Sequence, residues 1–123
     1  MADVCLTENP SPLGMKDGTI QDSQLTASSE YTGLPESHGP SNARLDLPAS
    51  ASRTGSWSAS QSDLNQWIQA DLETPRYVTG IVMQGRYNVV SAQWVTRYKV
   101  QYGNDGVTWL YVKDVTQTNH AVS

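Results

Sequence analysis

Apolar and polar side chains alternate along the second half of the chain. In the segment "QWIQADL", Ile68, Ala70 and Leu72 fall on one face, and Gln69 and Asp71 fall on the other. A period of two is the pattern of a β-strand with one buried face. We therefore predict a strand here, with its aliphatic side chains on one face.

Two further extended segments follow along the chain. Residues 75–85 ("PRYVTGIVMQG") carry apolar side chains on both faces, which is typical of a strand covered on both sides. Residues 94–103 ("WVTRYKVQYG") are apolar or aromatic on one face and basic or polar on the other, which predicts a half-exposed strand. The turn-forming residues 103–106 ("GNDG") then predict a tight hairpin that leads into the extended segment 107–114.

The first half of the chain is richer in loops. A short strand is predicted within residues 20–29, where Ile20 and Leu25 are available for the core, and the island "ARLDL" at 43–47 predicts another. The residues around this island are rich in Ser, Gly and Pro, and loops of such length in a compact domain usually carry a function or are disordered. Because no segment keeps a helical period of 3.6, the predicted fold class is all-β, a sandwich or a barrel.

Composition narrows the class of partner. A length of 123 residues fits a single domain, and a formal net charge of −4 argues against a nucleic-acid partner. The sequence has no run of 18 apolar residues, the length needed to cross a bilayer. The single cysteine, Cys5, excludes a disulfide within the chain, so it is either a free thiol or a cysteine whose partner lies outside this sequence.

The sequence offers little that a catalyst needs. Its two histidines, His38 and His120, lie in polar segments without metal-ligand spacing, and no nucleophile with a base and an orienting group is evident. The scattered carboxylates leave a glycosidase pair open, although sequence spacing gives no evidence that two of them converge. The "GNDG" segment lacks the further acidic ligands of a calcium loop. We therefore predict no cofactor and no metal site, leave calcium binding open without a supporting motif, and expect a binding module.

Several short motifs occur in one order: "PLGM", "ARL", "QWIQADL" and "QGR". Over residues 5–113 the chain resembles the discoidin domain, also called the coagulation factor V/VIII type C domain. The resemblance implies an antiparallel, galactose-binding-domain-like jelly-roll barrel with projecting loops, or spikes, at one end. It places these spikes at 29–42, 48–57 and 85–93 of a single domain spanning 1–123. It also implies a secreted or cell-surface protein that binds membranes, glycans, collagen or peptides.

The resemblance has one large departure. In the family the N-terminal cysteine pairs with a cysteine at the end of the last strand, and this sequence contains only Cys5. The resemblance therefore implies one of two cases: a fragment whose partner cysteine and closing strands belong to a missing C-terminal segment, or a shortened natural variant. A barrel that lacks closing strands leaves sheet edges unpaired, so we expect marginal stability or self-association.

Carried onto the spikes, the resemblance indicates seven candidate ligand-binding residues. An apolar tip residue in the first spike and a valine pair in the third would enter the acyl region of a membrane, while an exposed arginine in the second spike and another in the third would meet anionic head groups. Two alternatives stay open: the tyrosine of the first spike packs against the loop base, or the valine pair folds inward. Trp57 is interpreted as an anchor at the foot of the second spike. The candidates are Tyr31, Leu34, Arg53, Arg86, Tyr87, Val89 and Val90.

The favoured function is attachment to a cell surface through anionic phospholipid, without catalysis. The first alternative is a lectin-like module that binds carbohydrate through the loop arginines, His38 and the aromatic faces of Tyr31 and Tyr87. The second is a receptor ectodomain that binds collagen or a peptide. A hydrolase, for which this fold would be an accessory domain, is the third.

Overall fold

The structure is a computed structural model that describes residues 11–86, 93–112 and 119–120. Its regular elements are short. The helical elements are one α-helix of four residues, α1, and three 3-10 helices, all between residues 22 and 42 of the described chain. In chain order the elements are the 3-10 helix Asp22–Gln24, β1 (Leu25–Ala27), the 3-10 helix Tyr31–Gly33, α1 (Pro35–His38), the 3-10 helix Pro40–Asn42, β2 (Ile68–Ala70), β3 (Met83–Gln84), β4 (Gln101–Tyr102), β5 (Leu110–Tyr111) and β6 (Asn119–His120).

The strands β1 and β2 form an antiparallel pair that holds the core. Leu25 lies opposite Ala70 and Ala27 lies opposite Ile68. Leu25 and Ile20 are each only 5 % exposed, which confirms their predicted place in the core. The pairing continues beyond the strand at the end next to the first loop, where the Ser28 amide donates to the Trp67 carbonyl oxygen at 2.9 Å.

The β2 strand confirms the predicted extended segment, but its aliphatic face is not the buried one. Ile68 is 39 % exposed, whereas the polar Gln69 is half-buried. Burial in the pair is concentrated at Leu25 of β1, whereas Ala70, its partner in β2, is exposed. Both aliphatic residues of β2, Ile68 and Ala70, are therefore exposed.

Residues 43–47, predicted as a strand, form a bend and a turn instead. Asp46 has a φ of 58°, in the left-handed region that strands do not use. The polar side chains of this segment are committed to tertiary contacts: the Arg44 guanidinium donates to the Met15 carbonyl oxygen and to Asp22, each at 2.6 Å. The alternation of "ARLDL" therefore reflects polar anchoring and not a strand.

The strands β4 and β5 confirm the predicted hairpin. They pair antiparallel, with Gln101 opposite Tyr111 and Tyr102 opposite Leu110. In the turn, the Asp105 Oδ1 accepts hydrogen bonds from the amides of Val107 at 2.9 Å and Thr108 at 2.7 Å. This use of the carboxylate accounts for the "GNDG" segment as a turn.

The third pair corrects two predictions. The strand β3 pairs in parallel with β6, Met83 beside Asn119, so strand pairing is not antiparallel throughout. Residues 75–85 were expected to form a strand covered on both sides, but only Met83–Gln84 is a strand, and Tyr77 is 95 % exposed. The reason is that no described segment pairs with residues 77–82. The described chain is consistent with an all-β protein built from short strands.

Candidate functional site

The first loop, 29–42, is a chain of three short helical turns. Prolines start two of them: Pro35 begins α1 and Pro40 begins the last 3-10 helix, where a missing N–H costs nothing. Asn42 is fully buried, and its Nδ2 donates to the carbonyl oxygens of Glu36 and Gly39, both at 3.2 Å. This buried amide therefore holds the loop in a folded shape.

Two predicted site residues lie on the outside of this loop. Leu34, at the start of α1, is 56 % exposed, and Tyr31 is 53 % exposed. The Tyr31 ring meets the His38 ring edge to face, with centroids 5.2 Å apart. The His38 Nδ1 lies 2.7 Å from the Ser37 Oγ. Tyr31 thus packs on its own loop and still presents half of its surface to solvent.

The second loop, 48–57, is held against the first by hydrogen bonds to main-chain carbonyl oxygens of the first loop. The Thr54 amide and the Thr54 hydroxyl both donate to the Ser37 carbonyl oxygen, at 3.0 and 2.8 Å. Just after the loop, the Ser58 amide donates to the His38 carbonyl oxygen at 3.0 Å. Both acceptors belong to α1, the turn that follows Leu34. The two loops therefore form one cross-linked unit.

The feet of these loops are joined as well. The Trp57 Nε1 donates to the Ser29 carbonyl oxygen at 2.9 Å, and the Tyr31 amide donates to the Ser58 carbonyl oxygen at 2.7 Å. Trp57 is half-buried, in keeping with its interpretation as an anchor at the foot of the loop.

Arg53 lies directly before Thr54 on this unit. Arg53 was predicted as an exposed charge, and the structure gives the residue an intermediate, half-buried position. The loop folds back at this point, since the Ser50 amide donates to the Arg53 carbonyl oxygen at 2.8 Å. Neither of the ion pairs found within the described ranges involves the Arg53 guanidinium.

The third loop, 85–93, is closed at its base by Arg86 and Gln93. Their backbones form an antiparallel bridge, with the Arg86 amide 2.7 Å from the Gln93 carbonyl oxygen. The Arg86 Nη1 also donates to the Gln93 Oε1 at 3.3 Å, while its buried Nε has no partner among the described residues. Arg86 is thus held at the loop base. The predicted residues Tyr87, Val89 and Val90 lie outside the described part of the chain.

A pair of side chains links the second and third loops. The Gln84 Oε1 accepts from the Asp46 amide at 2.7 Å, and the Gln84 Nε2 donates to the Asp46 Oδ1 at 3.0 Å. The other carboxylate oxygen of Asp46 binds the Lys16 ammonium at 2.8 Å. Asp46 comes two residues before the second loop and Gln84 comes two residues before Arg86. The structure therefore joins the segments that lead into the second and third loops.

The sequence analysis missed four residues that hold these loops or the segments before them: Asn42, Thr54, Asp46 and Gln84. Asn42 and Thr54 sit in segments whose small and polar residues predicted only a loop. Gln84 begins the motif "QGR", and Asp46 directly follows the motif "ARL". These motifs were the available signal, but they indicated only the positions of the two residues along the chain and not their contact.

Two further findings concern metal-ligating clusters and membrane-spanning helices. In the portions of the chain that the structure describes, no three His, Cys, Asp or Glu side chains gather closely enough to hold a metal ion. Over the same residues, no helix has the length and the apolar character that crossing a membrane requires.

Comparison with known proteins shows similarity over most of this chain. The family profile named F5/8 type C domain matches residues 24–123. Bovine lactadherin is 43 % identical over 106 residues, which cover 84 % of this chain and 24 % of that protein. The human EGF-like repeat and discoidin I-like domain-containing protein 3 is 40 % identical over 114 residues, covering 90 % of this chain and 23 % of that protein. Porcine coagulation factor VIII is 38 % identical over 104 residues, covering 84 % of this chain and 5 % of that protein. The chain thus spans about a quarter, or less, of the length of these relatives.

Proposed function

Because the chain belongs to the F5/8 type C, or discoidin, domain family, we propose that it is a non-catalytic recognition module that attaches to anionic phospholipid through loops 29–42, 48–57 and 85–93. The domain is extracellular, secreted or held at the cell surface. The proposal includes a jelly-roll sandwich as the scaffold behind the loops.

One observation carries the proposal: Leu34 and Arg53 belong to loops that are hydrogen-bonded to each other. The bonds from Thr54 to the Ser37 carbonyl oxygen lie next to Arg53 in one loop and three residues after Leu34 in the other. An exposed apolar side chain and a cation are therefore presented by one unit. This combination suits the boundary between acyl chains and head groups, where apolar groups enter and cations meet phosphates.

The expected binding free energies indicate that a single copy of the chain attaches only weakly to a membrane. Full burial of a leucine contributes about 1.5–3 kcal/mol, and each basic residue near an anionic surface contributes about 1 kcal/mol. For Leu34, Arg53 and Arg86 the sum is roughly 4 kcal/mol, which corresponds to a Kd of about 1 mM. Attachment should therefore be reversible, and stable binding should need the third loop tip or more than one copy.

The test is sedimentation of the chain with vesicles of phosphatidylserine and phosphatidylcholine, compared with phosphatidylcholine alone. We expect binding only to the anionic vesicles, and about tenfold weaker binding for Leu34→Ser, since 1.4 kcal/mol is a factor of ten. Leu64→Ser is the matched control, because Leu64 is 97 % exposed and lies outside the three loops. Arg53→Gln should also weaken binding, while Arg76→Gln, at an exposed arginine elsewhere, should not. Equal binding by Leu34→Ser and Leu64→Ser would contradict the proposal.

A carbohydrate-binding module is the second candidate, favoured by the pairing of Tyr31 with His38. An exposed aromatic face beside an imidazole offers stacking and hydrogen bonding to a sugar ring. A glycan array, run with and without calcium, separates the two candidates. Specific glycan binding that is lost in Tyr31→Ala, without any binding to anionic vesicles, would favour the carbohydrate function.

A further inference from the structure

The chain has two aspartyl–glycyl bonds, Asp17–Gly18 and Asp105–Gly106. At such a bond the main-chain nitrogen of the glycine can attack the side-chain carboxyl carbon of the aspartate, because no Cβ on the glycine obstructs the approach. Each glycine has a positive φ, 85° for Gly18 and 74° for Gly106, and a Cβ added to either would meet nothing within 4 Å. Steric hindrance therefore protects neither bond.

The two bonds differ in how firmly the aspartate carboxylate is held. The Asp105 Oδ1 accepts two amide hydrogen bonds, from Val107 at 2.9 Å and from Thr108 at 2.7 Å. The Asp17 Oδ1 accepts one amide hydrogen bond, from Thr19 at 2.9 Å. Hydrogen bonds to a carboxylate are charge-assisted, and they oppose the rotation that brings the carboxyl carbon to the glycine nitrogen. The Asp17 carboxyl is therefore the less restrained of the two.

Residues 17–18 form the tip of a loop whose flanks are fixed. The Ile20 amide donates to the Gly14 carbonyl oxygen at 2.9 Å and closes the base of the loop. Directly before the tip, the Lys16 Nζ lies 2.8 Å from the Asp46 Oδ2. Both tip residues are exposed, so water reaches the bond in the folded chain. A reaction at the tip therefore needs no unfolding of the loop base.

We propose that Asp17 isomerises spontaneously to isoaspartate. The Gly18 nitrogen bonds to the Asp17 Cγ, and the hydroxyl of the neutral carboxyl group leaves with the amide proton as water. Water then adds to one carbonyl carbon of the resulting five-membered imide and breaks the bond from that carbon to the nitrogen. Opening at Cγ restores aspartate, whereas opening at the main-chain carbonyl carbon leaves Cβ and Cγ in the path of the main chain. The water released equals the water consumed, so the mass is unchanged and no co-reactant is needed.

The product adds one carbon atom to the main chain directly after Lys16. The longer tip displaces Lys16 relative to Asp46, whose carboxylate pairs with the lysine and whose amide donates to Gln84. The change is therefore transmitted to the contact between the segments that lead into the second and third loops. The reaction needs no ligand, so it is independent of membrane binding.

The test is peptide mapping of the folded 123-residue chain after prolonged incubation at mildly acidic and at mildly alkaline pH. Electron-transfer fragmentation distinguishes isoaspartate from aspartate in the tryptic peptides 17–44 and 100–113. We expect about tenfold more isoaspartate at residue 17 than at residue 105, since one additional charge-assisted hydrogen bond opposes the reaction at Asp105. Formation should be faster in mild acid, because a neutral carboxyl group loses its hydroxyl more readily than a carboxylate loses oxygen. Asp22, in the same peptide as Asp17 but followed by serine, should stay unchanged.

Two controls separate the effect of the fold from that of the sequence. In urea both carboxyl groups lose their native hydrogen bonds, so residues 17 and 105 should form isoaspartate at similar rates. Incubation should speed hydrogen exchange of the Asp46 amide in the wild type but not in Asp17→Glu, since glutamate does not form the five-membered imide. Vesicle binding enters neither measurement, so failure of this proposal and failure of the proposed function are separate results. The proposal is overturned by no isoaspartate at residue 17 of the folded chain, by as much at residue 105 as at residue 17, or by the same excess in urea.

Discussion

Thr54 donates two hydrogen bonds to a single acceptor, the carbonyl oxygen of Ser37. One bond comes from the amide and the other from the hydroxyl, which also lies 3.0 Å from the Ser56 carbonyl oxygen, so the side chain supplies part of this connection. The contact joins the two loops that carry Leu34 and Arg53. Its removal should therefore affect both stability and the order of the loops.

Thr54→Val keeps the shape of the side chain and deletes the hydroxyl. We expect a loss of about 1 kcal/mol in the free energy of unfolding, the usual net value of one hydrogen bond. Hydrogen exchange of the Thr54 and Ser58 amides should become faster because the loops separate more often. Thr54→Ser retains the hydroxyl and should show neither change. Equal exchange rates in the two variants would mean that the hydroxyl does not hold the loops together.

Gly55 and Gly33 form a matched pair of loop glycines. Both have positive φ, 77° and 63°, but a Cβ on Gly55 would lie 2.6 Å from the Leu47 carbonyl oxygen, whereas a Cβ on Gly33 would meet nothing within 4 Å. Gly33→Ala should cost about 1–2 kcal/mol of stability from the left-handed backbone alone. Gly55→Ala should cost a further 1–3 kcal/mol or so from overpacking. Chemical denaturation of both variants measures the difference. Equal losses of stability would show that the main chain at Leu47 moves to make room for the added Cβ.

Asn42 should be far more sensitive to substitution than an exposed asparagine. Its buried Nδ2 makes two hydrogen bonds within the first loop. Asn42→Asp replaces this donor by a buried carboxylate, and we expect a loss of about 3 kcal/mol or more. Asn65→Asp, at an exposed position, should change stability by less than about 0.5 kcal/mol. Denaturation midpoints for the two variants test this, and similar midpoints would contradict the role assigned to Asn42.

The hairpin turn should respond to acid through Asp105. The amides of Thr108 and Val107 lower the pKa of this carboxyl from its usual 3.8. Because the pKa is lower in the folded than in the unfolded chain, the stabilising contribution is complete above pH 3.8 and is lost as pH falls through the folded-state pKa. NMR chemical shifts of the Val107 and Thr108 amides should report this titration. In Asp105→Asn the side-chain oxygen still accepts both bonds, so the turn should persist while the titration disappears.

The sequence was most informative where structure depends on neighbouring residues. The β4–β5 hairpin followed from the turn-forming residues 103–106, and the burial of Ile20 and Leu25 followed from apolar residues beside a short strand. Both predictions required only local preferences. Their confirmation shows how far these preferences determine the β elements of this chain.

Contacts between distant segments could not be predicted from local preferences. Asp46 binds Gln84, which is 38 residues away, and this contact replaces the strand that was predicted at 43–47. Likewise the parallel pairing of β3 with β6 joins segments that no period along the chain connects. The loops were predicted from composition, but the bond to the Ser37 carbonyl oxygen uses a main-chain acceptor that every amino acid carries. Such acceptors leave no trace in a sequence pattern.

This reliance on main-chain atoms has an evolutionary consequence. Three of the bonds between the first two loops join one amide to one carbonyl oxygen: Thr54 to Ser37, Ser58 to His38, and Tyr31 to Ser58. The outward-facing side chains between them, including Leu34, take no part in this framework and are free to diversify. Gene duplication followed by drift at these tips would yield domains with one architecture and different targets, and randomised tip libraries should therefore give folded variants at high frequency.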